Sequence, residues 1–172
     1  MPETIIFALA ALSIINEAKR PGRRRIIVDA DACPALNDII DIAGAHDTLV
    51  VLVGNETQNL KRFQGASGIS IVEVASERDA ADYAIVSLVT ADDIVITGDI
   101  GLASLALSKR AIAISARGKI YNPATIDSEL FLRHEGQRIR RAGGRTKGPS
   151  AYSHEDRQRL IEALARLLKS HY

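Results

Sequence analysis

"IIVDADACP" occupies residues 26–34: three β-branched residues run straight into Asp29 and Asp31, with the chain's lone cysteine and a proline behind them. A short apolar run that stops on an acid reads as a buried strand whose carboxyl end points at something polar. Four similar runs follow, so strands are expected at 25–28, 49–53, 69–74, 94–97 and 111–115. Between them, residues 34–45, 79–89 and 102–109 space their apolar side chains three and four apart, as helices packed on a sheet face must. Residues 54–68 read as a polar connection with one helical turn. Strands alternating with helices are the sign of βαβ units and a parallel sheet. Right-handed crossovers then place helices on both faces, giving an α/β protein with the three-layer α/β/α sandwich architecture. The expected strand order is 3-2-1-4-5, which makes the first and fourth strands neighbours.

The chain has 172 residues, which suits one core, so residues 23–172 are expected to form a single domain behind an N-terminal extension, 1–22. Lys and Arg number 22 against 21 Asp and Glu, so attraction to nucleic acid must come from local patches and not from the total. One cysteine excludes an internal disulfide and a cysteine zinc cluster, and a reducing cytoplasm fits best. "TIIFALAALSII", residues 4–15, falls short of the roughly 20 apolar residues that span a bilayer. Nor does it have the flanks of a secretory signal. Met1-Pro2-Glu3 carries no cationic side chain, and Lys19, Arg20, Arg23, Arg24 and Arg25 lie behind the apolar stretch. No membrane partner is expected. The stretch reads as an extra helix packed on the domain or a poorly ordered extension.

Beyond residue 115 the texture becomes rich in Gly, Arg and polar residues, so a basic, loop-rich arm is expected over about 116–152, with one helix at 126–133. Ser153 and Asp156 then form a capping-box pattern, and Leu160, Ile161, Leu164, Leu167 and Leu168 form one stripe, which predicts a C-terminal helix over about 153–170. Within the arm, Arg133, Arg138, Arg140, Arg141, Arg145 and Lys147 face only Glu135. Arg138, Arg140, Arg141 and Lys147, with Arg117 after the fifth strand, are the candidates for phosphate contacts to RNA. The competing reading is a solvated helix face. Tyr121 has two readings, a base-stacking platform or a packing residue.

In an open parallel sheet, ligands sit beyond the carboxyl ends of strands where the strand order reverses. Asp29 closes the first strand there and Asp99 the fourth, while Asp79 and Asp82 share one face at the start of a helix. With Asp31, five carboxylates are expected to converge. Like charges that close raise one another's pKa, so a cation is expected among them, and neutralising Asp99 should relieve the empty cluster. Oxygen ligands without His or Cys suit Mg²⁺ or Mn²⁺, ions that keep waters and bind substrate phosphates. The chemistry so implied is metal-assisted phosphodiester hydrolysis. Helix capping is the competing role for Asp31 and Asp79, and less so for the strand-end Asp29 and Asp99.

"VDADACP", "ERDAADYAIV", "DDIVITGDIGLAS", "ARGKIYNPATI" and "TKGPSAYSHEDRQRL" resemble, in order, the successive motifs of the YaiI/YqxD family of bacterial proteins, across residues 26–168. That family is similar to PIN-like nuclease domains, which implies an α/β/α sandwich with an acidic metal site. Under this resemblance Asp29 corresponds to the first-strand ligand, Asp79 and Asp82 to the helix acids, and Asp99 to the acid of a Thr-x-Asp motif. These four are the catalytic candidates, and Asp31 joins them as a metal ligand. Two departures stand out. The extension 1–22 precedes the usual start of the family, and Gly101 stands where proline is expected, so the third helix is expected to begin differently.

Cys33 near a helix start has the place of a nucleophile but no histidine beside it, and it reads as a small packing residue. Pro34 fixes a helix start. His46, His134, His154 and His171 lack ligand spacing and read as surface residues. Three classes of function follow: a divalent-metal nuclease acting on RNA, a non-catalytic RNA-binding or regulatory module, and a phosphohydrolase of haloacid-dehalogenase type. The last expects a hydroxyl two residues after the second Asp and an acid four after the Gly-Asp pair, where this chain has Cys33 and Ala103.

Overall fold

The β-branched runs pair side by side in one five-stranded sheet, every pair parallel. The computed structural model describes residues 24–77 and 79–170. The predicted extension 1–22 and His171 lie outside the described residues. The strands are β1 (Arg25–Asp29), β2 (Leu49–Gly54), β3 (Ile69–Glu73), β4 (Ile94–Ile96) and β5 (Ile112–Ile114), in the order β3-β2-β1-β4-β5. Among the described residues the α-helices are α1 (Leu36–Ala45), α2 (Ala80–Leu88), α3 (Ile100–Ser108), α4 (Ile126–Arg141) and α5 (His154–Lys169). None of them is long and apolar enough to cross a membrane.

The strands' period of two divides the core in two. Ile26, Val28, Val50, Leu52, Ile94, Ile96 and Ile114 face one way, onto Leu36 and Ile39 of α1 and Leu160, Leu164 and Leu168 of α5. Ile27, Val51, Val53, Val95 and Ala113 face the other way, onto Ile85 and Leu88 of α2, Leu102 and Ala106 of α3, and Ile126 of α4. A sheet buried on both faces needs apolar residues at every position, which is why β1 and β4 read as unbroken runs. The α/β/α sandwich and the order 3-2-1-4-5 are therefore as the sequence predicts.

Element ends differ where side chains intervene. Helix α1 begins at Leu36 and not at 34, leaving Pro34 exposed in the turn before it. Helix α3 begins at Ile100, two residues ahead of the predicted 102, because Asp99 Oδ1 accepts hydrogen bonds from the Gly101 and Leu102 N–H groups at 2.7 and 3.2 Å. The Gly101 bond needs the N–H that a proline would lack. Helix α4 runs to Arg141 and not to 133, so the arm carries much more helix than predicted. Asp127 and Glu129 in its first turn and Arg138, Arg140 and Arg141 in its last turn suit the helix dipole. Residues 54–68 contain two short 3-10 turns, Glu56–Gln58 and Leu60–Phe63, where one turn is predicted.

The amino end of the sheet is closed by a buried ion pair. Arg25 and Asp93 are 1% and 2% exposed, and the guanidinium donates to both Asp93 oxygens, at 3.1 Å through Nε and at 2.7 Å through the second nitrogen. Leu88 O accepts a further bond at 2.8 Å. The two buried charges at this end neutralise each other.

The "ARGK" turn after β5 is fixed by contact with α5. Gly118 has φ +81°, and a Cβ there would lie 2.4 Å from the Arg159 carbonyl carbon and 2.6 Å from Leu160 N. Only glycine fits so close to a backbone. Gly118→Ala is therefore expected to cost about 2–3 kcal/mol through overpacking and strain, read as a lower denaturation midpoint at unchanged slope. A midpoint equal to the parent's would mean that the turn moves away from α5 freely.

Candidate active site

Strand register sets the two central acids. Val28 pairs with Ile96, so Asp29 and Thr97 follow side by side at the carboxyl edge. Thr97 Oγ1 donates to Asp29 Oδ2 at 3.1 Å and accepts from the Asp99 N–H at 3.0 Å, which ties the end of β1 to the loop that starts α3. Thr97 is fully buried and Asp29 only 6% exposed. Asp82 lies in the first turn of α2, and Asp79 precedes that helix at φ 63°, a left-handed conformation that Asp tolerates better than most residues. Asp31 follows β1 in a 3-10 turn and accepts from Gln58 Nε2 at 2.6 Å. Asp29, Asp31, Asp79, Asp82 and Asp99 together line one cleft of about 490 Å³.

The opposing charge is Arg133. From the middle of α4 its guanidinium forks onto Asp99, donating to Oδ1 at 3.0 Å and Oδ2 at 3.1 Å. Burial pushes Asp99 up, but the Arg133 bonds and the Leu102 and Gly101 N–H groups outweigh it and hold the carboxyl below its ordinary range. Burial raises Asp29, against the Thr97 bond, with Asp82 and Asp31 adding repulsion. Burial and then the charges of Asp99 and Asp79 raise Asp82, with Arg133 opposing.

Two expectations change here. Asp99, for which capping is the less expected role at a strand end, is the side-chain cap of α3, whereas Asp79 makes no capping bond through its side chain. Neutralising Asp99 also removes a favourable ion pair, so relief of repulsion belongs to Asp29 and Asp82 instead. The five acids share a cleft, yet among the described residues no three His, Cys, Asp or Glu side chains stand close enough to hold a metal ion by themselves.

The basic candidates divide. Arg117 is engaged inside the chain: it pairs with Asp156, donates to Ser150 O at 2.5 Å and covers the Tyr152 ring at 5.8 Å. Arg138 pairs with Glu135 at 2.8 Å and Arg140 bonds Thr146 Oγ1 at 2.7 Å, and both remain exposed, as does Arg141. Lys147 lies exposed beyond the helix. Tyr121 is buried in the second core, as a packing residue is. Cys33 is likewise buried, and burial pushes its thiol up to about 11, far from a thiolate at neutral pH. His134 and His154 are exposed and His46 is partly so.

Sequence reasoning passed over Thr97, Gln58 and the special place of Arg133. Thr97 was readable in principle from the Thr-x-Asp spacing, which puts a hydroxyl opposite the first-strand acid. Arg133 was not, because its partner lies at the start of α3, 34 residues away in sequence.

A carboxyl raised in the folded state binds protons there more readily than in the unfolded chain, so ionised Asp29 costs stability at neutral pH. Asp29→Asn keeps an acceptor for Thr97 and removes that cost. Its thermal midpoint is expected above the parent's at pH 7, with the difference shrinking as pH falls through the raised value and vanishing below the ordinary 3.8. Paired melts from pH 7 to pH 3 check this, and an advantage that grows on acidification would reverse the assignment.

The family model described as "Uncharacterized BCR, YaiI/YqxD family" matches residues 27–170. A UPF0178 protein of Staphylococcus saprophyticus is 37% identical over 148 residues, covering 86% of this chain and 96% of the relative. A second, from Halalkalibacterium halodurans, is 39% identical over 145 residues, covering 84% and 90%. A third, from Bacillus pumilus, is 37% identical over 160 residues, covering 93% and 94%. No solved structure matches. The family match begins inside β1 and ends just past α5, so it takes in every strand and helix that builds the cleft: the chain belongs to the YaiI/YqxD family.

Proposed function

We propose that this protein is a divalent-metal-dependent phosphodiester hydrolase acting on RNA. The observation that carries the reading is a cleft at the carboxyl edge of a parallel sheet, lined by five aspartates and, among the described residues, no His or Cys. It lies where the chain order reverses between β1 and β4, the usual ligand position of open α/β sheets.

The donor set fits a hard, hydrated cation and does not fit a closed protein cage. Mg²⁺ is commonly held by one or two carboxylates, several waters and the substrate's own phosphate, so the absence of three close acids among the described residues is compatible with it. One or two of the carboxylates of Asp29, Asp82 and Asp99 would hold Mg²⁺ or Mn²⁺. Such an ion, when bound, makes a water acidic enough to attack and offsets charge on the phosphate. The chain's own part is orientation and proton handling. Thr97 fixes the Asp29 carboxylate, and burial holds both Asp29 and Asp82 above the ordinary carboxylate range, as suits groups that handle protons. The exposed end of α4, with Arg138, Arg140 and Arg141, and Lys147 beyond it, supplies cations for the strand's phosphates. The single buried thiol suits a reducing compartment such as the cytoplasm.

Single-stranded RNA incubated with Mn²⁺ is expected to be cleaved, and EDTA or Asp29→Asn is expected to lower the rate by about 10²-fold or more while the variant stays folded. Cleavage undiminished by EDTA would overturn the reading, and RNA binding without cleavage would favour a non-catalytic RNA-binding module. Replacing Arg138, Arg140 and Arg141 by Ala should weaken RNA binding and flatten its salt slope by about 0.7–0.9 for each phosphate that is no longer neutralised. An unchanged slope would reduce these arginines to a solvated helix face.

A further inference from the structure

Arg133 stands apart from the other arm cations. It is about a third exposed, projects from mid-helix and directs both terminal nitrogens at one carboxylate of the cleft. It is also the cation that opposes repulsion at Asp82 and offsets the burial of Asp99. We propose that Arg133 is a built-in counter-ion guarding the cation position at Asp99, so that a divalent cation binds there only by displacing the guanidinium. The proposal rests on the metal-dependent reading above and adds a regulatory contact to it.

The bonding of Asp99 shows how the exchange works. Oδ1 accepts from the Gly101 and Leu102 N–H groups as well as from Arg133, whereas Oδ2 accepts from Arg133 alone among the described residues. Withdrawal of the guanidinium frees Oδ2 completely and leaves the cap of α3 in place on Oδ1. The carboxylate thus changes its cationic partner without uncapping the helix. Arginine suits the task because its planar fork satisfies both oxygens at once. Its long, partly exposed side chain can leave for solvent while α4 stays packed on α3. While the pair is closed, the protein is incompetent to take up the cation, and its apparent affinity falls by the fraction of molecules that are open.

The test is Mn²⁺ binding to the whole chain without substrate, followed by loss of the free Mn²⁺ electron paramagnetic resonance signal and by the thermal midpoint. Arg133→Gln is expected to bind Mn²⁺ about tenfold tighter than the parent, and in EDTA to melt lower because the acids lose their counter-ion. In an Asp99→Asn background, Arg133→Gln should bring no gain, since no fork remains to open. A gain that persists there would be a general field effect and would overturn the guard. Equal or weaker binding by Arg133→Gln overturns the guard while leaving the metal reading standing, and no Mn²⁺ binding by either protein overturns both. Should Arg133→Gln fail to fold, Arg133→Lys keeps the charge and loses the fork. Its Mn²⁺ affinity is expected between that of the parent and a tenfold gain, and affinity at or below the parent's overturns the proposal.

Discussion

The parallel register between β1 and β4 is the constraint on which the cleft depends. With Ile26 opposite Ile94 and Val28 opposite Ile96, the next residues can only be Asp29 beside Thr97, and their hydrogen bond locks the two strand ends together. A slip of one residue would turn each strand's apolar residues onto the wrong core and carry Asp29 away from Thr97. The two hydrophobic layers therefore enforce the geometry of the polar edge. Burial of Ile26, Val28, Ile94 and Ile96 on one face and Ile27 and Val95 on the other opposes a slip by one residue.

The two ends of the same strands treat charge in opposite ways. At the amino end, Arg25 and Asp93 neutralise each other in the core, and the Thr90 N–H completes the Asp93 carboxylate at 2.8 Å. A buried pair of this kind is a structural closure: removing either partner would strand a charge. At the carboxyl end, five aspartates share a cleft and Arg133 answers only Asp99 with a fork. Asp99 is held below the ordinary carboxylate range, while burial first and neighbouring acids second raise Asp29 and Asp82, so the acids of this end are not matched as the amino-end pair is. Such separation of pKa values within one cleft is costly to a fold and useful to chemistry.

What was legible in the sequence follows from the range of each interaction. Strands, helices and their parallel order depend on local periodicity, and Asp29 at the end of "RIIVD" inherits its place from the strand it closes. Asp79 and Asp82 follow from the start of α2 in the same way. Helix ends were less legible because they turn on single hydrogen bonds: Asp99 to Gly101 begins α3 early, and the charge order from Asp127 to Arg141 carries α4 past the predicted stop. Pairings such as Arg133 with Asp99, or Arg117 with Asp156, join elements distant in sequence. No local pattern distinguishes those arginines from their exposed neighbours.

The charge of α4 needs to be divided before it is given a meaning. Acids in the first turn and arginines in the last complement the helix dipole, so Arg138, Arg140 and Arg141 would stabilise the helix even in a protein that never met RNA. Their presence alone argues little. Arg133 lies in the middle of the helix, where the dipole offers a cation almost nothing, since the effect fades within the first and last turns. Ordering a long side chain there costs conformational entropy, which the helix itself does not offset. The compensation comes from Asp99 across the cleft, through two hydrogen bonds that lower the carboxyl's pKa against its burial. Helix stability explains the arginines at the end of α4; only the acidic cleft explains Arg133.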